Sequence, residues 1–187
     1  MQNSNETALL VMDLQSSILQ NLEDSTSLVN NVAQAIAKAR TEKIPVIYVI
    51  VSFRPGAPEI SESNKSFSRF NNKEMWTTEF LKQWEEIHPD VVPEEGEIVI
   101  TKRRFSAFTG SDLEVVLRGQ GIQHLVLTGI STSGVVLSTL REAADKDYQL
   151  TVIEDCCADR DAEVHQVLTT KVFPTQAKVI ALNSWMS

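Results

Sequence analysis

Residues 121–159 read GIQHLVLTGISTSGVVLSTLREAADKDYQLTVIEDCCAD. Within them, His124–Thr128 is a short apolar run and Gly129–Val136 is a turn of small residues. Val135, Val136, Thr139, Leu140 and Ala143 then recur at helical spacing, and a second apolar run, Gln149–Glu154, follows. Strand, turn, helix and strand in that order form the unit that builds parallel sheets. Both runs are continuously apolar rather than alternating, as strands covered on two faces must be.

The same pattern extends in both directions. Four more apolar runs stand at Ala8–Met12, Pro45–Val51, Glu97–Thr101 and Ala177–Leu182. Leu28, Val29, Val32, Ile36 and Ala39 mark a helix before the second run. Ser111 with Glu114 forms a capping-box pattern ahead of Leu113, Val116 and Leu117. Ala162, Val164, Val167 and Leu168 mark a last helix. Six runs alternating with helices predict an α/β fold, a doubly wound parallel sheet with helices on both faces. Residues 52–96 break the rhythm, with SFRPGAPE, then Phe67, Phe70 and Trp76, and one helix near Thr78–Ile87. So long a connection reads as a lid over one end of the sheet.

Composition narrows the function classes. A chain of 187 residues with 42% hydrophobic and 22% charged residues predicts one globular domain, 1–187. The net charge of -8, from 17 basic and 25 acidic side chains, argues against nucleic-acid binding. The start, MQNSNETALLVMD, lacks the basic and apolar regions of a signal peptide, and no apolar run has the length of a membrane span. The only cysteines, Cys156 and Cys157, are adjacent, which favours free thiols and a cytoplasmic location.

In open parallel sheets, ligands bind beyond the carboxyl ends of the strands. Asp13 follows the first run, Lys102, Arg103 and Arg104 follow the third, and the Gly129–Val136 turn follows the fourth. Each alone has a plain structural reading: a helix cap, a solvated cation, a strand-to-helix turn with Thr132 or Ser133 as N-cap. Together, at one kind of position, they mark a candidate site. His88, His124 and His165 sit in separate segments, read as surface or helix-edge residues, and form no metal-ligand spacing. No phosphate-binding glycine loop is present, and no metal or cofactor is expected.

These segments resemble the isochorismatase-like, or cysteine hydrolase, superfamily. The resemblance runs through ALLVMDLQ, PVIYV, ITKRRFSAF, residues 121–159 and the final AKVI. It implies a six-stranded parallel sheet, a homodimer or homotetramer, and a small-molecule substrate. It places the acid of that family at Asp13 and its lysine at Lys102, and implies a cis peptide between Ile130 and Ser131. The nucleophilic cysteine position falls on Val135, followed by Val136, Leu137, Ser138 and Thr139. Backbone N–H groups of Ser131 and Val135 would form an oxyanion hole. Valine offers no thiolate, so covalent thioester chemistry at residue 135 is excluded on this placement. Members that lack the cysteine hydrolyse vinyl ethers with the aspartic acid as proton donor, although their turn carries an alanine-histidine pair where this chain has Thr132 and Ser133. Phe53, Arg54 and Trp76 are candidate pocket residues. The sequence thus predicts a hydrolase without covalent cysteine catalysis, or a non-catalytic relative that binds a ligand or partner.

Overall fold

In the computed structural model, which describes residues 6–187 except the side chains of Arg69 and Met186, six strands form one sheet. In chain order they are β1 (Thr7–Met12), β2 (Val46–Val51), β3 (Ile98–Lys102), β4 (His124–Ile130), β5 (Gln149–Ala158) and β6 (Lys178–Ile180). Their spatial order is β3-β2-β1-β4-β5-β6, and every neighbouring pair is parallel. The order reverses beside β1, the kind of position where parallel sheets leave a crevice.

Side chains alternate between the two faces of each strand. Ala8, Leu10 and Met12 of β1 join one core with Ile47, Val49, Leu125 and Leu127. The helices α4 (Leu113–Gly119) and α5 (Leu137–Asp145) cover that face through Leu113, Leu117, Leu140 and Ala143. Leu9 and Val11 point the other way, into a core shared with Val46, Tyr48 and Val126. There α2 (Thr26–Thr41) supplies Leu28, Val29, Val32, Ile36 and Ala39, the positions its periodicity marks. The result is three layers, α/β/α.

The remaining helices are short: α1 (Ser16–Leu19), α3 (Thr78–Trp84), α6 (Ala162–Val167) and α7 (Leu182–Met186). Residues 52–96 contain no strand, and α3 stops three residues short of the expected Ile87, which instead bridges Gln15 in antiparallel fashion.

Three local expectations are corrected. Helix α4 begins at Leu113, and Glu114 does not reach back to cap it: its carboxylate takes Lys146 Nζ at 2.6 Å. Ser111 Oγ instead donates to the Ala107 carbonyl at 2.6 Å and accepts from the Leu113 N–H. Strand β5 runs four residues past Glu154, so both cysteines lie within it rather than after it. A shift in register between Leu127 and Gly129 absorbs the added length: Val152 faces Leu127 but Cys157 faces Gly129. His124 is no surface residue. It is buried in β4, where Nδ1 meets the Thr7 hydroxyl at 3.2 Å and Nε2 the Thr151 hydroxyl at 2.9 Å.

Burial, aided by Lys178, depresses the His124 pKa, so the folded state holds the ring neutral. Unfolding then becomes easier as pH falls below about 6.5, where the unfolded ring takes up a proton that the folded ring refuses. Urea midpoints at pH 7.5 and 5.5 are expected to differ more for the parent than for His124→Gln. Equal differences would remove His124 from the pH dependence.

Candidate active site

Asp13 leaves β1 with φ +58, a left-handed conformation that aspartate tolerates better than most side chains, and its N–H is held by the Val49 carbonyl at 2.8 Å. This turns the carboxylate over the end of β2 toward the last residue of β3. There Lys102 Nζ meets Asp13 Oδ2 at 2.9 Å and also donates to the Arg104 carbonyl at 2.8 Å. The two side chains are 8% and 2% exposed. Asp13 Oδ1 is buried and has no hydrogen-bond partner among the described residues. Burial pushes the Asp13 carboxyl above its ordinary pKa, and Lys102 pulls it back only in part. A buried acid beside a buried lysine, with one oxygen left free, has the chemistry to exchange a proton with a bound molecule.

The turn after β4 reaches the same edge. The peptide between Ile130 and Ser131 is cis. Gly129 has φ +136, and a Cβ there would overlap the Met12 carbonyl, so only glycine allows β4 to pass this close to the residue before Asp13. Residues 132–136 form one wide helical turn that continues into α5, with Val135 and Val136 buried in the core. Neither Thr132 nor Ser133 acts as the N-cap, which is Ser131. The Thr132 hydroxyl pairs with His165 Nδ1 at 2.8 Å, and the Ser133 N–H donates to Asp159 at 2.7 Å.

Aromatic rings roof this edge. Phe53 and Trp76 stand edge to face at 4.9 Å inside a buried cluster with Phe67, and the Trp76 indole donates to the Phe70 carbonyl at 2.7 Å. Phe67 lies 4.9 Å from Phe105, which follows β3. The Phe105 ring in turn rests against Gly134, where an added Cβ would stand 3.6 Å from it. Thus residues 52–96, the loop after β3 and the turn after β4 are in contact through Phe67, Phe105 and Gly134. Arg54 is 66% exposed and pairs with Glu59 at 2.6 Å.

Two contributors to this edge carry no sequence signal. Gln15 is fully buried: its amide donates to the Val51 and Trp84 carbonyls and accepts from the Val51 N–H, tying β2 to α3. Phe105 is, by sequence, one more apolar residue in ITKRRFSAF.

The thiols lie on opposite faces of β5, Cys156 among Leu9 and Val11 and Cys157 among Met12 and Leu127. Burial raises both pKa values, that of Cys157 to about 12. The free Asp13 oxygen has neither as a partner. Both are therefore expected to resist a thiol-specific disulfide reagent at pH 8 until the chain unfolds. Rapid labelling of the native protein would contradict this.

A doubly wound parallel α/β chain with a buried acid–lysine pair at the carboxyl edge of its sheet is the class that this geometry defines. The isochorismatase domain model matches residues 7–184, and the chain belongs to that family. The chain is 31% identical over 173 residues to YwoC of Bacillus subtilis (strain 168), an uncharacterised isochorismatase family protein, covering 92% of this chain and 88% of that one. It is 30% identical over 174 residues to RutB of Variovorax paradoxus (strain S110), a ureidoacrylate amidohydrolase, covering 82% and 69%. Among solved structures, N-carbamoylsarcosine amidase from Thermoplasma acidophilum superposes with a TM-score of 0.77 at 25% identity, covering 95% of this chain and 97% of that one.

Proposed function

We propose that the chain is a hydrolase of small molecules in which Asp13 moves the proton and water, rather than a cysteine, supplies the nucleophile. The observation that carries this reading is the buried Asp13–Lys102 pair with Oδ1 unpartnered. Burying a carboxyl and an amine side by side costs stability that a purely structural role would avoid more cheaply with apolar side chains. Two relatives whose names describe amide-bond hydrolysis, one of a ureidoacrylate and one of an N-carbamoyl compound, point to ureides and amides as the first substrates to try.

In this reading a water attacks the carbonyl carbon. The carbonyl oxygen gathers negative charge against backbone N–H groups of the Ser131–Val135 turn. The neutral Asp13 carboxyl gives its proton to the departing nitrogen, the C–N bond breaks, and the proton of the attacking water returns to Asp13. Lys102 sets the carboxyl's orientation and charge. Residues 52–96, with Phe53, Arg54 and Trp76, form the lid that excludes bulk water, and the domain works as one unit over 1–187. Val135 stands where the family's thiol would be, so no acyl-enzyme forms.

The same valine favours a second reading, a ligand-binding relative with no turnover. A panel of ureides, amides, esters and vinyl ethers separates the two. The hydrolase reading expects turnover of one class, lost in Asp13→Ala and insensitive to thiol alkylation. Saturable binding without turnover on any class would leave only the binder.

A further inference from the structure

Residues 52–84 leave the sheet and return to it through a narrow neck. They depart at Val51, the last residue of β2, and come back at Trp84, the last residue of α3. One buried side chain joins the two ends. Gln15 Nε2 donates to the Val51 carbonyl at 3.2 Å and to the Trp84 carbonyl at 2.6 Å, and Gln15 Oε1 accepts the Val51 N–H at 2.8 Å. The Trp84 indole also donates to the Val51 carbonyl, at 2.7 Å, and the Ser52 hydroxyl donates to Glu85. Beside them the two backbones run antiparallel: the Ser16 N–H donates to the Glu86 carbonyl at 2.8 Å and the His88 N–H to the Leu14 carbonyl at 2.9 Å. A fully buried amide is costly to desolvate unless each of its groups finds a partner. Here both N–H groups and the oxygen of Gln15 do, and every partner is a main-chain group at one end or the other of residues 52–84.

The neck supports two bodies at once. On one side is the aromatic roof, whose own small core is Phe53, Ala57, Ile60, Phe67, Trp76 and Leu81. Bringing together the ends of so long a segment costs loop entropy, which bonds across the neck must offset. On the other side is the acid–lysine pair. Gln15 stands two residues after Asp13, and the Asp13 N–H is held by Val49, two residues before Val51 on the same strand. The Ser52 N–H takes the Lys102 carbonyl at 3.2 Å, so the neck is tied to the main chain of the lysine as well as to the loop of the acid. A change at the neck therefore reaches the roof and the pair together.

We propose that Gln15 is a positioning residue: its amide closes the neck of residues 52–84 and so keeps the aromatic roof seated over Asp13 and Lys102. It acts through Val51 and Trp84, not on the reacting atoms. The inference rests on the reading of Asp13 as the group that moves the proton. Its chemical consequence is dryness. Burial is the largest influence on the Asp13 carboxyl and raises its pKa, whereas Lys102 lowers it. Water admitted through an open neck relaxes both influences. Because burial outweighs the lysine, the carboxyl then falls back toward its ordinary range. Gln15 thus helps to keep Asp13 an acid.

The test uses the full chain and Gln15→Met, which keeps the length of the side chain and removes all three of its bonds. Hydrogen exchange read by mass spectrometry is expected to speed up at least about tenfold in peptides from residues 52–84, and less than about twofold in β4, β5 and α5. The carbon NMR signal of the Asp13 carboxyl, identified by its loss in Asp13→Asn, is expected to titrate with about tenfold weaker proton binding in the variant. A side chain that merely filled the core would, on removal, speed exchange throughout and leave the Asp13 midpoint in place. Either result would overturn the proposal. If Gln15→Met fails to fold, two other measurements decide. In the parent, the Val51 amide proton, whose acceptor is Gln15, should exchange as slowly as those of β4. Trp84→Phe, which removes the indole bond across the neck, should move both readouts the same way by about threefold. Fast exchange at Val51, or no shift in Trp84→Phe, would overturn the role of Gln15. Neither readout needs a substrate. Both shifts in a chain that turns over no compound would uphold the neck and end the hydrolase reading. Turnover lost in Asp13→Ala, with neither readout moved by Gln15→Met, would do the reverse.

Discussion

Asp13→Asn is expected to slow turnover of any substrate found in the panel by about 10²–10⁴-fold, the usual worth of a positioned proton donor. Asparagine keeps the shape of the side chain and a hydrogen-bonding oxygen for Lys102, but it carries no transferable proton. The loss should therefore fall on kcat, with KM changed little. The pH profile supplies a second readout. Burial raises the Asp13 pKa, so the acid form persists above the ordinary value near 3.8. If that form is the working one, activity falls as pH rises through the raised pKa. The residual activity of Asp13→Asn should lack that alkaline limb. A variant with turnover within about threefold of the parent, or with the limb intact, would take the proton transfer away from Asp13.

Lys102→Met is expected to destabilise the fold by about 3–5 kcal/mol at pH 8, the common cost of leaving one member of a buried pair alone. Methionine fills much of the space of the lysine stem, so the loss is electrostatic rather than a cavity. The sign of its pH dependence is fixed by the surviving partner. Without the ammonium, nothing offsets the desolvation that already raises the Asp13 pKa. At high pH the variant must either bury a lone carboxylate or bind a proton to avoid it, and both cost free energy. At low pH Asp13 is neutral in the folded and unfolded chains alike, and the penalty fades. The stability gap between parent and variant should thus shrink steadily from pH 8 to pH 4. Adding Asp13→Asn to Lys102→Met should recover a large part of the loss, because the double variant has no buried charge left. A gap that stays constant with pH, or a double variant no better than the single, would show that Lys102 acts through packing alone. Both experiments report on the pair whatever the substrate turns out to be.

Much of this edge is legible in the sequence. Asp13, Lys102 and the Gly129–Val136 turn each stand just past an apolar run, and the topology of parallel sheets alone brings such positions to one rim. The contacts across the rim are not legible there. Gln15 is a polar residue in a half-helical stretch, and nothing local says that its amide binds β2 and α3 together. His124 opens a strand, and only its parallel neighbours reveal the two threonine hydroxyls that satisfy it in the core. The four-residue extension of β5 depends on a bulge against β4, a property of the pair rather than of either strand.

Read along the chain alone, the residue pattern sets the layers, the strands buried on both faces, and the residues that reach the carboxyl edge. These follow from hydrophobic periodicity and from the right-handed crossover, which act along the chain. It took the folded molecule to show that Asp13 and Lys102 stand 2.9 Å apart with one oxygen left free, and that Phe105 joins residues 52–96 to the turn after β4. Those outcomes depend on distances between residues far apart in sequence, where burial and charge set the energies and no local pattern records them.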